Sequence, residues 1–154
     1  MVPSNILKQL TILLTILLIS GCQYKFINSN AIKLRSIEFS EKISSPFKEK
    51  IRQYFKINSE SGQYSLIITK VSFKKRTLYG GESLRAKEIE ILGELNFEFA
   101  SLIKKHTGVI TAVMQMPSNE VNPQAEISAQ KQLRDELEII LSEKLFQEYW
   151  LLES

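Results

Sequence analysis

The chain is poor in the residues that build most catalytic and metal centres. Its 154 residues include one cysteine, one histidine and one tryptophan, and Asp135 is the only aspartate. A disulfide framework needs paired cysteines and a zinc site needs clustered cysteine and histidine, so both are excluded. A Ser-His-Asp triad would have to combine His106 with Asp135, and no serine lies in a nucleophile-elbow sequence. No internal repeat or low-complexity tract is present. These absences point to a non-enzymatic binding or assembly protein, with no cofactor or metal expected. What is present, 44% hydrophobic and 24% charged residues with a net charge of +3, suits a single domain.

Apolar runs are also short. The longest, Leu10 to Ile19, is broken only by Thr11 and Thr15 and follows a lone basic residue, Lys8. A membrane-spanning helix needs about 20 apolar residues and a secretory core about 7 to 15, so residues 1–21 read as a signal peptide. Ile19, Ser20 and Gly21 stand directly before Cys22. This resembles a bacterial lipobox, in which the cysteine becomes the first mature residue and receives a diacylglycerol, and the new amino terminus is acylated. Three chains anchor far more firmly than one. Gln23 stands where inner-membrane lipoproteins usually carry Asp, so the resemblance implies the periplasmic side of the outer membrane. That destination argues against nucleic acid as a partner. Residues 22–31 are expected to be a lipidated tether, and 32–154 one domain.

Charge is divided along the mature chain. From Cys22 to Lys87 there are 14 basic and 5 acidic residues, and from Glu88 to Ser154 there are 5 and 12. Ile32 to Phe39 alternates loosely and predicts a short strand. Ser45, as a cap, and Pro46 predict a helix start, with Phe47, Ile51, Tyr54 and Phe55 on one face. Asn58 to Gly62 reads as loop. Tyr64 to Tyr79 is strand-like, with Tyr64, Leu66 and Ile68 in one parity and Val71 and Phe73 in the other, which predicts a bulge near Thr69 and Lys70. Gly80 and Gly81 predict a turn. Beyond it, Ile89, Ile91, Gly93, Leu95, Phe97 and Phe99 alternate with Glu88, Glu90, Glu94, Asn96 and Glu98, the pattern of a strand with one buried face. A turn at Lys104 to Gly108 and a strand from Val109 to Met116 complete an antiparallel meander.

Pro117 to Gln124 reads as loop, with Asn122 a cap and Pro123 the first helical residue. Ala129, Leu133, Leu137, Ile140, Leu141 and Leu145 then mark a helix from Ala125 to about Tyr149. Lys131 with Asp135 and Arg134 with Glu138 are spaced to pair across one turn. Tyr149, Trp150 and Phe146 read as core or as an exposed contact. The expected fold class is α+β: a two-layer sandwich of a mostly antiparallel, four-stranded sheet with two helices on one face.

Three basic groups stand out: Lys74, Lys75 and Arg76; Arg85 with Lys87; and Lys104, Lys105 and His106. Such groupings bind phosphates, and they equally describe solvated strand ends, where lysine protects edges. The glutamates of the alternating strand read as a solvated sheet face.

The layout of these elements resembles the LptE family of lipopolysaccharide-assembly lipoproteins. The similar features are Cys22 with Tyr24 and Phe26 soon after, the Ser-Pro helix, the meander, and the Asn122–Pro123 loop followed by Ala125 and a Glu- and Leu-bearing helix. The chain departs from the family at Gln23, where many members have Gly. The resemblance implies a plug within the outer-membrane barrel LptD, which the protein helps to assemble, and contact with lipopolysaccharide on its way to the outer leaflet. From charge, Lys74, Lys75, Arg76, Lys104 and Lys105 are the candidate contacts for its head group. An alternative is an envelope lipoprotein serving another periplasmic machine, as a pilotin for a secretin or a regulator of a cell-wall synthase.

Overall fold

Alternation and helical spacing place the elements, and the chain breaks where those patterns break. The computed structural model describes residues 31–80, 86–118 and 122–153; the predicted signal peptide, Cys22 and Arg85 lie outside them, as does almost all of the tether. Among the described residues there are six strands and two helices: β1 (Ile32–Leu34), β2 (Ser36–Phe39), α1 (Ser45–Tyr54), β3 (Phe55–Ile57), β4 (Ser65–Tyr79), β5 (Ala86–Ala100), β6 (Lys105–Pro117) and α2 (Pro123–Glu153). The class is α+β, as the pattern predicts.

The main sheet has the order β2-β4-β5-β6, with β2 parallel to β4 and the other pairs antiparallel. A second, two-stranded sheet joins β1 and β3 in parallel. The single strand predicted for Ile32 to Phe39 is therefore two strands in two sheets. Arg35 is the junction: its N–H donates to Tyr64 O at 2.7 Å, while Leu34 O accepts from Asn58 N at 2.7 Å. Gly62 makes that junction possible. A Cβ there would fall on the backbone of Leu34 and Arg35, so only glycine allows the loop to close against the bend.

Helix α1 begins one residue earlier than the Ser-Pro pair suggests. Ser44 is the cap, its hydroxyl accepting from Phe47 N at 3.4 Å, and Ser45 is the first helical residue. Phe47 and Ile51 are buried. The helix ends at Tyr54, and Phe55, predicted on its apolar face, instead opens β3. Helical and extended backbone both bury this ring, and the pairing of Phe55 with Ile32 decides for the strand.

The bulge in β4 is where parity predicts it. Ile68 faces Phe97 and Lys70 faces Asn96, leaving Thr69 as the extra residue; its hydroxyl donates to Asn96 O at 3.3 Å. Leu66 and Ile68 point to the helices before the bulge, and Val71 and Phe73 do so after it. The final turn of the meander lies at Ser101 to Lys104, tighter and earlier than predicted, because Lys105 already pairs with Ala100. His106 and Gly108 thus belong to β6.

Helix α2 covers the odd face of β5 and the neighbouring β6, and α1 packs beside it against α2 and β3. Leu137, Leu141 and Leu145 are fully buried against that face of β5. Asn122 caps α2 as expected, accepting from Ala125 N at 3.1 Å. At one end, Phe99, Tyr149, Phe55 and Tyr64 form an aromatic cluster, with Tyr149 edge-on to Phe99 at 5.5 Å and to Tyr64 at 5.9 Å. Tyr149 is thus core, whereas Trp150 beside it is 45% exposed.

Candidate functional site

Successive residues of a strand face opposite sides, so Lys74, Lys75 and Arg76 cannot act as one cluster. After the Thr69 bulge, the even positions of β4 look out over the sheet face that carries no helix. Lys74 sits there with its Nζ 3.6 Å from Glu94, which also takes Lys70 at 3.7 Å. Arg76 lies 3.9 Å from Glu90, and Gln115 donates to that same glutamate at 3.1 Å. Lys75 points the other way and meets Glu126, in the first turn of α2, at 3.4 Å.

The other candidates sit far off. Lys105 pairs with Glu98 at 2.8 Å on the open face, and Lys104 closes the β5–β6 turn. Lys74 lies opposite Leu92 and Lys105 beside Ala100, so at about 3.4 Å per residue roughly 27 Å of strand separates them. The structure thus brings Lys74 and Arg76 together and separates them from Lys75, Lys104 and Lys105. Lys87 starts β5.

The open face is a wall of alternating charge. The central strand supplies Glu90, Glu94 and Glu98, and the flanking strands supply Lys70, Lys74, Arg76 and Lys105. Val109 and Val113 stand exposed beside them on the edge strand β6, at 60% and 51%. Each pair is solvated and weak, on the order of 0–1 kcal/mol, so the cations can change partners at little cost.

A second charged region, in which Lys42, Lys131 and Arg134 stand with Asp135 and Glu138, escapes sequence reasoning. A cleft of about 300 Å³ opens where the start of α1 meets α2 and β4, with Phe47, Val71 and Phe73 in its floor and Lys42, Lys131 and Arg134 on its rim. None of these three cations enters an ion pair among the described residues. The predicted Arg134–Glu138 pair does not form. Glu138 turns instead to Lys50 of α1, at 2.7 Å. The i, i+3 spacing of Lys131 and Arg134 was the available signal, but the approach of Lys42 depends on how the helices cross.

Two phenols are shifted. Tyr54 is raised from its ordinary value, chiefly by burial and then by Glu143, to which it donates at 3.5 Å. Tyr149 is raised further, again by burial first and then by its 2.6 Å hydrogen bond to Glu153. Both stay protonated at neutral pH and act as donors. Among the described residues, no three His, Cys, Asp or Glu side chains gather as a metal site would require, and no helix is long and apolar enough to cross a membrane.

No protein-family model matches the chain, and none of the curated proteins does. Solved structures do. The crystal structure of rare lipoprotein B from Shewanella oneidensis matches with a TM-score of 0.68 at 17% identity, covering 79% of this chain and 96% of that one. The chain shares its fold. A minor lipoprotein from Acinetobacter baumannii matches at 0.59 and 14% identity, over 75% of this chain and 87% of that one. A solution structure of lipoprotein B from Nitrosomonas europaea matches at 0.57 and 13% identity, over 76% and 84%. At these identities the likeness is one of fold.

Proposed function

We propose that the chain is an envelope lipoprotein of the LptE type, anchored through Cys22 on the periplasmic side of the outer membrane. In this reading it seats as a plug in an LptD-type β-barrel, assists the barrel's assembly, and helps to deliver lipopolysaccharide to the outer leaflet; it is not an enzyme. The observation that carries the reading is a coincidence of two independent features. The sequence places Ile19, Ser20 and Gly21 before Cys22 as a lipobox would, and the domain that follows has the fold of bacterial lipoproteins.

The physics of the open face agrees. The lumen of an outer-membrane barrel is polar, and a rigid sheet face of paired charges can lie against it without burying an unmatched ion. Lipopolysaccharide head groups carry phosphates and carboxylates. Lys74 and Arg76 at one end of that face, and Lys105 with the neighbouring Lys104 at the other, can exchange a glutamate for such a group, whereas Lys75 faces the helices and is held by Glu126.

The test is to express the chain, tagged after Ser154, with the barrels of its own organism and extract the complex in mild detergent. An LptD-type barrel is expected at one-to-one stoichiometry. A secretin, a cell-wall synthase or no barrel at all in that position overturns the plug.

A further inference from the structure

The β5–β6 turn exposes two branched apolar side chains almost completely, Leu102 at 86% and Ile103 at 99%. This is not a loose loop. Ser101 N–H donates to Lys104 O at 2.8 Å, and the Ser101 hydroxyl accepts from Lys104 N at 2.9 Å and Ile103 N at 3.4 Å. The turn is closed by its own backbone, so Leu102 and Ile103 are held outward. Lys104 and Lys105 follow at once, both exposed.

Strand register shows which end of the domain carries the turn. Ser36 lies opposite Ser65, Ser65 opposite Ala100, and Ala100 opposite Lys105. Three strand spacings of about 4.8 Å put Lys105 roughly 14 Å from Ser36. The chain enters the fold at this end, through β1 and Arg35. Trp150 is here too, because its neighbour Tyr149 packs on Phe99, and it is half exposed. Upstream, the ten positions from Cys22 to Ile32 span at most about 35 Å when fully extended.

We propose that the Leu102–Ile103 turn is a second membrane contact, which dips into the interface of the bilayer that holds the lipid on Cys22, with Lys104 and Lys105 against anionic headgroups. A protein partner fits less well. Two side chains at a hairpin tip supply far less area than the roughly 1,000 Å² of a stable protein interface. A bilayer asks for less, because the anchor already confines the domain at a high effective concentration beside the surface, and small apolar insertions paired with lysine then suffice. The contact would fix how the domain stands on the membrane. It rests on the lipid anchor of the proposed function and not on the barrel.

The experiment uses the full lipidated protein in vesicles of mixed phosphatidylcholine and phosphatidylglycerol. A nitroxide is placed by Ile103→Cys or, as the control at the opposite end of β4, by Tyr79→Cys, where the native side chain is 63% exposed. The mass of the N-terminal peptide is read in parallel to establish lipid on Cys22. At position 103, collisions with a water-soluble nickel complex are expected to fall about threefold relative to position 79, and collisions with oxygen to rise. Equal accessibility at the two positions, with lipid present on Cys22, overturns the membrane contact and leaves the lipoprotein reading standing. An N-terminal peptide without lipid overturns both.

Discussion

Lys50 of α1 and Glu138 of α2 meet at 2.7 Å, with side chains only 22% and 12% exposed, and the same ammonium also donates to Asp135 O at 3.1 Å. This is the polar clamp between the two helices. Glu138 is held among core residues, so removing its partner leaves a poorly solvated carboxylate. Lys50→Met keeps the apolar stem and loses the charge. It is expected to cost about 1–3 kcal/mol in urea unfolding, and a cycle with Glu138→Gln should show coupling on the order of 1 kcal/mol. Additive effects would mean the pair contributes nothing to helix docking.

Gly108 sits on the core side of β6, where an added Cβ would come within 2.7 Å of the Phe97 ring. That ring is already packed against Phe99 at 5.4 Å and His106 at 5.9 Å. Gly108→Ala should therefore destabilise the domain by about 1–3 kcal/mol, although alanine suits a strand better than glycine in conformational terms. Phe97→Leu in the same chain should recover part of the loss. Thermal unfolding of the three variants reads this directly.

Much of the fold was legible, and the failures share one cause. Strict alternation in β5 and helical spacing in α2 each reveal a buried face without reference to any neighbour. The β4 bulge showed in its parity change. What could not be read was set by pairing between distant segments: Ile32 to Phe39 divides because Arg35 bonds Tyr64 O, and Phe55 leaves the helix because it pairs with Ile32. The candidate site fared worse. Lys74, Lys75 and Arg76 looked like a cluster because they are adjacent in sequence, yet the strand assigned to them already required Lys75 to face away. The cleft cations come from separate segments, so no local pattern joins Lys42 to Arg134.

Tyr149 makes stability sensitive to alkali. Its phenol is raised well above the ordinary value of 10.0, so the folded chain keeps a proton that the unfolded chain releases. Stability is then unaffected below pH ~10 and falls as pH rises beyond it, because the unfolded state gains by ionising where the folded state cannot. Tyr149→Phe should flatten that fall while losing the 2.6 Å bond to Glu153. Urea midpoints for both chains between pH 8 and pH 11 test the sign.

If the basic side chains bind lipopolysaccharide, the two faces of β4 should behave differently. Lys74→Gln with Arg76→Gln removes the open-face cations, weakens binding several-fold and lowers its salt dependence, with the fold intact because those pairs are solvated. Lys75→Gln should act mainly on the start of α2 through Glu126. Lys104→Gln with Lys105→Gln probes the far end. Titration of lipopolysaccharide at two salt concentrations separates these outcomes, and unchanged affinity in all three variants removes the assignment.

Thr69 is the extra residue that shifts the parity of β4. Because it is the unpaired residue between Ile68 and Lys70, its deletion would join the two halves in one parity. The segment before the bulge buries Leu66 and Ile68, and the segment after it half-buries Val71 and Phe73. A continuous strand satisfies both sets: without Thr69, Leu66, Ile68, Val71 and Phe73 alternate regularly on the helix side, and Lys70, Lys74 and Arg76 stay on the open face. The deletion should therefore still unfold cooperatively, losing the local bend of the bulge at a cost of about 0.5–3 kcal/mol. Thr69→Val is the contrasting variant. It keeps the extra residue and loses only the 3.3 Å bond to Asn96 O, so a cost of about 1 kcal/mol or less is expected. Circular dichroism melts of the two variants check this: a deletion that abolishes the cooperative transition would mean that the sheet needs the bulge itself, and not only the parity it resets.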